Sequence, residues 1–424
     1  DIIASRVRRL NILSQELDEM VERHGDERRS EINKMPLSMD REDLIEERAI
    51  AITLTDDNYI RHVPVETFRV QNRGGKGLKG VATKDEDFPK SILTCFSKDR
   101  LLIFTNRVSS KTSTEGEEIE YNEGRVYGLK AWEIPQGSRT SKGTHIRNVL
   151  EMKEDERVVS ILALPRTLVD NVESLRKEAS PLRKKLKLDD ISQKENERLS
   201  ELENLLSIDF LAFATKVGKI KKSKLELFTQ IFRKGKVAIN LAENDELVSI
   251  KHGTNGSDVV LISSMGRACR FNFDSLKDQG RSASGVKGIN LSKGGTLVGM
   301  MIAHELERDN TWVLTITKQG MCKRTLIGDG EMYDKLDSNG EKIRNPKYPD
   351  KSPYEFARYR NGYNVTSRGM QGPKTMAFND SDEIVRAHQI TNLDDQILLL
   401  SKKGIIIRIQ AEATASTKGR VAKG

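Results

Sequence analysis

The residues of this chain best suited to hold an anion lie within Gln71 to Gly77, which reads QNRGGKG. Its three glycines leave backbone N–H groups uncovered and allow φ values that other residues avoid, while Arg73 and Lys76 add positive charge. A phosphate group can approach such a main chain closely. An ordinary Gly-rich basic turn is the alternative interpretation, and the surrounding sequence has to decide between the two.

The same segment fits the dinucleotide motif G-x-G-x-x-G at Gly75 to Gly80. That motif holds a pyrophosphate only where it follows a buried strand and opens a helix in a parallel α/β unit. Here it lies within a β-strand repeat and contains basic residues, so we exclude a dinucleotide site. The chain has no G-x-x-x-x-G-K-[ST] sequence, which excludes ATP binding through a P-loop.

Metal ligands and catalytic groups lack the required spacing. The six histidines are dispersed, and His304-Glu305 lacks the second histidine of H-E-x-x-H. Asp337 to Glu341 resembles a calcium loop, but Lys335 and Pro346 occupy the first and last ligand positions. No nucleophile lies beside a base. We therefore predict no catalytic residue, no metal site and no cofactor in this chain.

Cysteine usage and hydropathy bear on the compartment. Cys95, Cys269 and Cys322 are odd in number and far apart, which argues against a disulfide framework or a zinc site and fits a reducing cytosol. No apolar run approaches the roughly eighteen residues of a membrane span, and residues 1–30 are charged rather than signal-like. We expect a cytoplasmic protein with no membrane partner.

The elements that position these residues are strands. A pattern of alternating apolar residues, Thr or Ser, a polar turn and a second run ending in Arg or Lys predicts a β-hairpin and occurs six times. The copies are Ile52 to Arg61, Leu101 to Tyr127, Phe210 to Lys222, Val259 to Arg270, Trp312 to Arg324 and Ile397 to Arg408.

A second, basic and Gly-containing element follows each hairpin. Its copies are Gln71 to Val81, Ser138 to Ile146, Ile231 to Ile239, Gly280 to Ile289, Ser367 to Met376 and Ser416 to Gly424. Several are trailed by an acidic or Gly turn and an apolar run, as at Asp382 to Val385. The uninterrupted unit of about fifty residues is typical of a propeller blade. We predict an all-β, propeller-like ring of six blades with the last blade incomplete; the alternative is a sandwich of unrelated hairpins.

The ring carries appendages. Residues 1–33 have one apolar stripe at helical spacing and predict the end of a larger helical arm, and residues 34–48 serve as a linker into the β body at 49–424. Three insertions interrupt the repeats. Residues 108–123 are expected to form a polar loop, 166–207 a helical hairpin broken at Pro181, and 327–363 an irregular loop.

The chain has 71 Lys and Arg against 63 Asp and Glu, a formal net charge of +8 that fits a polyanionic partner. In a ring, equivalent positions of successive blades share one perimeter, so repeated basic residues predict a curved track for double-stranded DNA. The alternative for any single residue is a solvated turn. The predicted DNA-binding residues are Gln71, Asn72, Arg73, Gly74, Gly75, Lys76, Gly77, Lys79, Arg139, Lys142, Lys216, Lys219, Lys221, Lys222, Arg233, Lys234, Arg267, Arg270, Arg281, Lys318, Lys323, Arg324, Arg368, Lys402, Lys403 and Arg408.

Gln71 to Gly77 resembles the gyrase box, Q-(R/K)-R-G-G-(R/K)-G, of the C-terminal domains of DNA gyrase A subunits, and departs from it only at Asn72. The flanking GDERRSEI at Gly25, TKDEDF at Thr83, FTNR at Phe104 and GRVYGLKAWEIP at Gly124 are also similar to that family. The resemblance implies a six-bladed β-pinwheel that wraps DNA within a nucleoid-associated, ATP-dependent type II topoisomerase of A2B2 composition. It also implies that the catalytic tyrosine, the ATPase and the Mg²⁺ sites lie outside this chain.

Two other functions remain open from the sequence. The related domain of the topoisomerase IV A subunit lacks an intact box and serves as a substrate-selecting tether, which the near-intact heptapeptide disfavours. A propeller used only as a protein-interaction platform has no reason to repeat basic residues at equivalent positions. Weak, salt-insensitive DNA binding would favour that second interpretation.

Overall fold

Each of the six repeats forms an antiparallel hairpin, as the alternating pattern predicted. The computed structural model describes residues 5–26, 42, 44–67, 78–79, 89–112, 118–138, 141–154, 156–292, 294–346, 356, 358–377, 379, 381–400 and 405–416. The chain divides into two units, Asp1–Leu44 and Ile45–Gly424.

The described helices are α1 Arg6–His24, α2 Arg166–Lys187 and α3 Gln193–Leu206. The strands are β1 Ala49–Thr55, β2 Tyr59–Pro64, β3 Leu78–Lys79, β4 Pro89–Phe96, β5 Arg100–Thr112, β6 Glu118–Lys130, β7 Thr144–His145, β8 Arg157–Leu164, β9 Asp209–Thr215, β10 Lys219–Lys224, β11 Lys236–Leu241, β12 Leu247–Thr254, β13 Ser257–Ser263, β14 Ala268–Asn272, β15 Val286–Lys287, β16 Leu297–His304, β17 Trp312–Thr317, β18 Cys322–Leu326, β19 Met332–Asp334, β20 Arg358–Arg360, β21 Ile384–Ile390, β22 Gln396–Leu400, β23 Ile405–Gln410 and β24 Ala415–Ser416.

The first unit contains α1, whose N-terminus is capped by Ser5 through its Oγ and the backbone N–H of Arg8 at 3.5 Å. The apolar residues of its predicted stripe are exposed; Val7 and Met20, for example, retain 67% and 61% of their accessible surface. A helix with an unpartnered apolar stripe is typical of one that packs on another segment. The helix is confirmed, and its place in a longer arm stays a prediction.

The second unit consists of six blades, each built on one hairpin. Within the described residues, the strand orders are β4-β1-β2-β7, β8-β5-β6-β11, β12-β9-β10-β15, β16-β13-β14, β21-β17-β18-β24 and β22-β23-β3. The fourth blade gains a single antiparallel bridge between Arg267 and Lys374 in place of a fourth strand. The inner strands β4, β8, β12, β16 and β21 follow one another around the ring, and β22 lies against β4.

The outer strand of each blade comes from the segment that follows the next hairpin. In the first blade, for example, β2 pairs with β7, which lies beyond the β5–β6 hairpin of the second blade. The last blade obeys the same rule by returning to the start of the chain, since β23 pairs with β3 through Ile405–Lys79 and Ile406–Leu78. Blades are therefore interlocked by strand exchange, and β3 closes the ring.

Apolar cores lie between neighbouring blades. The described core residues form six clusters, one at each junction including the junction of the sixth blade with the first. Phe210 and Phe273, whose ring centroids are 6.1 Å apart, join the third blade to the fourth. The closing junction contains Ala51 and Val63 with Val65, Ile92 and Leu398 packed beside them. Burial of these faces is the main stabilisation of the ring.

The insertions follow the sequence analysis in part. The helical hairpin α2–α3 is present and packs Val169, Val172 and Leu202 into the core between the second and third blades. However, the predicted break at Pro181 is wrong, since α2 continues through this residue and the chain turns only after Lys187. Proline removes one backbone hydrogen bond of the helix, and the packing of α2 and the hydrogen bonds of its following turn compensate for that loss.

The other two insertions contain paired strands where the sequence predicted loops. Residues 108–112 and 118–122 extend β5 and β6 as paired strands, so the expected polar loop at 108–123 is wrong for that part. Within 327–363, Met332–Asp334 and Arg358–Arg360 form the short antiparallel pair β19–β20. Among the helices that the structure describes, none is long and apolar enough to cross a membrane.

Candidate nucleic-acid interface

The Gly-containing segments pass close to the backbone of the hairpins, and this close approach determines where they need glycine. Gly143 and Gly285 have positive φ angles of 90° and 79°, and a Cβ atom on either would lie 2.7 Å from a carbonyl oxygen, of Ile60 and Ile220 respectively. Gly372 makes the equivalent close approach to Ala268. Only glycine allows both the backbone angle and the contact. Each segment thus runs tightly over the preceding blade and enters its outer strand.

Basic residues follow these crossing glycines by one or two positions. Lys236, Lys287 and Lys374, which we call the outer-strand lysines, are exposed on three successive blades. His145 occupies in the first blade the position of Lys287 and Lys374, because Tyr59–His145, Lys219–Lys287 and Arg267–Lys374 are corresponding pairs. Lys236 pairs with Val126 and lies one residue earlier in its strand. The sequence analysis missed the outer-strand lysines. The available signal was Gly followed by Lys within two residues, which recurs at Gly77-Leu-Lys79.

Several predicted residues lie in or beside the crossing segments and reach the surface. Arg233, Lys234 and Arg368 are exposed. Arg233 forms an ion pair of 3.0 Å with Glu133, and Arg368 donates to the carbonyl of Lys287 at 2.7 Å. Since these contacts occupy only part of each guanidinium, the remaining N–H groups can still face a phosphate.

Lys142, Lys219, Arg267 and Arg281 are half-buried near the same outer strands. The ammonium of Lys142 lies 3.8 Å from the centre of the Tyr59 ring. The guanidinium of Arg267 donates to the carbonyl of Gly372 at 3.3 Å. These four side chains lie close enough to the surface to add positive potential beside the outer strands.

Lysines at hairpin tips are paired with the acidic tails of the repeats. Lys216 lies 3.3 Å from Glu246, and Lys318 lies 3.7 Å from Glu383. The preceding aspartate of each tail accepts a hydrogen bond from the tip of the hairpin, as Asp382 does from the backbone of Gln319 at 3.2 Å. The acidic tail therefore fixes the hairpin turn, and the tip lysines present less free charge than the sequence suggested.

The predicted DNA contacts at the ends of the second strands are wrong for five residues, because the side chains are buried. Lys221, Arg270 and Lys323 are fully buried, and Lys222 and Arg324 retain 4% and 8% of their accessible surface. A buried cation must be compensated by hydrogen bonds or by opposite charge. For Arg270 and Arg324, strand exchange provides the compensation, since it brings backbone carbonyl groups from beyond the next hairpin over these side chains. Lys222 is instead compensated by the side chains of Asn255, Asp274 and Asp278.

Arg270 shows the arrangement most completely. Its Nη1 donates to the carbonyl oxygens of Ile327, Gly328 and Tyr363 at 3.1, 2.8 and 2.5 Å. Its Nε and Nη2 donate to Asp258 at 3.1 and 2.5 Å. The carbonyl groups belong to the chain that leaves the hairpin of the fifth blade, so one side chain ties the fourth blade to the fifth.

The same position recurs around the ring. Arg324 donates to the carbonyl oxygens of Ala411, Glu412 and Thr414, at 2.7, 2.6 and 2.6 Å. The ring nitrogen Nδ1 of His62 lies 2.6 Å from the carbonyl oxygen of Ile134, and burial lowers the pKa of this histidine. In the third blade, Lys222 instead contacts Asn255 at 2.9 Å. We call the contacts that His62, Lys222, Arg270 and Arg324 make from this shared position the clasps.

Lys221 occupies the neighbouring position on the opposite face. Its ammonium donates to the carbonyl oxygens of Ala238, Gly280 and Arg281, the last two at 3.3 and 2.6 Å. Burial lowers its pKa from 10.5 to about 7, and the positive charge of Arg281 acts in the same direction. This lysine thus serves the interior of the ring and not its surface.

Other predicted residues lie outside the described residues. These are Gln71, Asn72, Arg73, Gly74, Gly75, Lys76 and Gly77, together with Arg139, Lys402 and Lys403. Lys79 is described only as a paired residue of β3, and Arg408 is half-buried in a clasp considered below. Among the residues that the structure does describe, no group of three or more His, Cys, Asp or Glu side chains is placed to hold a metal ion.

Comparison with known proteins identifies the domain type. The family model "DNA gyrase C-terminal domain, beta-propeller" matches residues 50–93, 122–165, 209–252, 257–304, 311–329 and 395–424, just over half of the chain. The DNA gyrase A subunit of Staphylococcus epidermidis strain ATCC 12228 is 32% identical over 426 residues, covering 100% of this chain. Its counterpart in Staphylococcus aureus strain COL is 31% identical over 424 residues. The chain spans 38% of the length of these relatives.

Two solved structures share the fold. The DNA gyrase A C-terminal domain superposes with a TM-score of 0.59 at 20% identity, covering 89% of this chain and 94% of that structure. The C-terminal domain of DNA topoisomerase IV superposes with a TM-score of 0.50 at 18% identity, covering 90% of this chain and 89% of that structure. Both likenesses confirm the propeller-like fold predicted from the repeats.

Proposed function

The chain belongs to the family of DNA gyrase C-terminal domains, and from that premise we propose that it bends and wraps double-stranded DNA around the outer strands of its ring. In the whole protein, the wrapped segment would be presented to the strand-passage machinery of an ATP-dependent type II topoisomerase. We further propose that the chain works within a dimer of gyrase A subunits joined to two B subunits, which provide the ATP and Mg²⁺ sites.

The observation that carries the proposal is the repetition of exposed lysines on the outer strands, at Lys236, Lys287 and Lys374. Bending a short duplex by 40–90° costs on the order of 1–6 kcal/mol, so a wrap needs phosphate contacts distributed along the path. Lysines at successive blades provide contacts with this distribution. They favour phosphate over base recognition, so the wrap is expected to depend on DNA flexibility and not on sequence.

The gyrase box has a particular place in this proposal. Gln71 to Gly77 immediately precedes β3, the strand that completes the sixth blade. In sequence, Gly77 stands before Leu78 as Gly143 stands before Thr144 and Gly285 before Val286. By sequence, the box therefore stands where the crossing segments stand, before the strand that closes the ring, and it is enriched in glycine and basic residues. We propose that it clamps the DNA where the wrap ends.

The test is to ligate nicked circular DNA in the presence of the 424-residue chain and to resolve the topoisomers. Chiral wrapping predicts a shift of linking number with positive sign that grows with protein concentration. Alanine at Arg73, Gly74, Gly75 and Lys76 together should reduce the shift, while Lys194→Ala on the exposed face of α3 should leave it unchanged.

Two outcomes would contradict the proposal. Binding without any shift in linking number would indicate a tether for DNA, as proposed for the related topoisomerase IV domain, and not a wrapping surface. Weak binding that does not respond to salt would indicate a platform for protein partners.

A further inference from the structure

Two large apolar side chains are exposed on the basic outer edge of the ring. Phe232 lies on the crossing segment that enters β11 in the second blade and retains 63% of its accessible surface. Met370 lies on the crossing segment of the fourth blade, which ends at the bridge between Arg267 and Lys374, and retains 56%. A single exposed apolar side chain is ordinary, so its surroundings have to show whether it has a role.

Met370 is held beside two of the outer-strand lysines. Arg368, two residues before it, donates to the carbonyl oxygen of Lys287 at 2.7 Å. The backbone N–H of Asn290, three residues after Lys287, donates to the carbonyl oxygen of Met370 at 3.0 Å. Lys374 follows four residues later, at the bridge that completes the fourth blade. The backbone of Met370 is thus fixed against the third blade while its side chain projects into solvent.

A tight turn holds Phe232 in a comparable place on the second blade. Its carbonyl oxygen accepts hydrogen bonds from the backbone N–H groups of Gly235 and Gly128, at 3.0 and 3.3 Å. Gly128 lies on β6 two residues from Val126, the partner of Lys236. Two residues of a strand span about 7 Å, so the turn of Phe232 and the outer-strand lysine share one edge of the blade.

Positively charged side chains surround the ring of Phe232. The guanidinium of Arg100 lies 5.9 Å from the centre of the ring. The next two residues, Arg233 and Lys234, are both exposed. Glu133 pairs with Arg233 at 3.0 Å and offsets one of these charges. The result is an exposed aromatic ring, fixed by its turn, within a basic surface.

This combination favours one class of partner. An apolar protein surface would cover the ring but would also take the neighbouring cations out of water without compensating them. An anion without an apolar face would pair with the cations and leave the ring in water. Duplex DNA offers both phosphates and the flat faces of base pairs. Proteins that bend DNA insert Phe and Met side chains between base pairs, which partly unstacks the step and kinks the duplex.

We propose that Phe232 and Met370 are wedges that enter base steps of the wrapped duplex and kink it at the second and fourth blades. This inference rests on the proposed wrapping function and names the places where the bend is concentrated. The third blade, which lies between, has only Ser282, Ala283 and Ser284 before its crossing glycine. These side chains are too small to separate base pairs, so the duplex is expected to remain stacked there.

The experiment follows bending and unstacking on the same duplex with the 424-residue chain. The duplex has about 60 base pairs, a donor and an acceptor dye at its ends, and 2-aminopurine in place of adenine at TA steps, which are the easiest to kink. Bound protein should bring the dyes together and raise the 2-aminopurine fluorescence by about 1.5-fold or more, because unstacking relieves its quenching. The double variant Phe232→Ala with Met370→Ala should lose at least half of that rise and should bring the dyes less close.

Three comparisons separate a wedge from a general loss of binding. The double variant should keep the salt dependence of its affinity and its unfolding temperature, because it removes no charge and no buried side chain. Phe232→Trp should retain the fluorescence rise, since a larger ring can still separate base pairs. Leu306→Ala should also retain it, because this side chain is 83% exposed in the turn between β16 and β17, which joins an inner strand to the next hairpin.

Each failure has its own signature. If the unaltered chain brings the dyes together without raising the fluorescence, the duplex bends smoothly, which overturns the wedges and leaves the wrapping function intact. A double variant that matches the unaltered chain in both signals would overturn the wedges and point to a protein partner for these side chains. A reduced salt dependence in that variant would also overturn them, since the substitutions would then act on phosphate contacts. Dyes that stay apart with the unaltered chain would contradict the wrapping function itself, and the wedges with it.

Discussion

The guanidinium of Arg408 in the sixth blade lies 3.4 Å from the carbonyl oxygen of Val65, which follows the hairpin of the first blade. Arg408 faces Leu398 in its hairpin as Arg270 faces Val260 and Arg324 faces Leu314. It therefore occupies the same register as the other clasps. The contact joins residues 343 positions apart and closes the ring by the same chemistry that joins neighbouring blades.

The clasps predict a large loss of stability when one is removed. Arg270→Met deletes five hydrogen bonds and leaves the buried Asp258 with only the longer ion pair of 3.7 Å to Arg308 among the described residues. We expect the free energy of unfolding to fall by about 3–5 kcal/mol, as measured by urea denaturation. The control is Arg233→Met, which removes an exposed ion pair and should cost about 0.5 kcal/mol or less. Equal losses in the two variants would show that the clasp adds nothing beyond an ordinary surface pair.

The crossing glycines can be tested with a matched pair of substitutions. Gly285 and Gly294 both have a φ of 79°, but only Gly285 has a backbone oxygen, of Ile220, 2.7 Å from the position of a Cβ atom. Gly294→Ala should cost about 1 kcal/mol for the backbone angle alone. Gly285→Ala should cost at least about 1 kcal/mol more, because β15 must move away from its neighbour β10 within the third blade. Thermal unfolding of the two variants measures the difference, and identical midpoints would contradict the crossing geometry.

Lys221 predicts a dependence of stability on pH. Its pKa is about 7 in the folded protein against 10.5 ordinarily. Between these two values the unfolded chain binds a proton that the folded protein lacks, so the free energy of unfolding should rise with pH. Below pH 7 both states are protonated, and this contribution stays constant. The measurement compares denaturation curves at pH 7 and pH 9.5 with those of Lys221→Met, in which the rise should be smaller. An unchanged rise in the variant would exclude Lys221 as its source.

The outer-strand lysines predict a change in the salt dependence of DNA binding. Each phosphate contact contributes about 0.9 to the slope of the logarithm of affinity against the logarithm of salt concentration. Replacing Lys236, Lys287 and Lys374 together by Gln should lower that slope by about 2–3 on duplex DNA. Binding isotherms at three or more salt concentrations give the slope. Lys194→Gln on α3 provides the control, and a triple variant with an unaltered slope would remove these lysines from the DNA path.

The repeats made the fold predictable, because alternation of apolar residues specifies strands and a recurring Thr or Ser before a Gly turn specifies hairpins. The origin of the outer strands was not predictable in the same way. A two-residue strand such as Val286–Lys287 has no periodicity, and its partner lies in a different repeat. The insertion at 108–123 was mistaken for a loop because its polar composition is typical of a loop, whereas its backbone extends the pairing of β5 with β6.

The candidate site was harder to predict than the fold. A basic residue at the end of a hairpin strand, such as Arg270 or Arg324, has the sequence context of a solvated side chain. Only strand exchange, which the sequence does not reveal, covers it with carbonyl groups. The outer-strand lysines were missed because a single Lys after a glycine has the same sequence context whether it lies on an outer strand or in an ordinary turn.

The exchange of outer strands also determines the order in which the blades can be completed during translation. When the hairpin β1–β2 has left the ribosome, its outer partner β7 has not yet been made, because β5 and β6 precede it in the chain. Each blade therefore waits, with an unpaired edge, for the hairpin of the next blade to emerge. The sixth blade reverses this order, since its partner β3 is translated before the hairpins of the second to sixth blades and must remain unpaired until β23 appears. A strand that precedes most of the ring in the chain is thus among the last to find its partner.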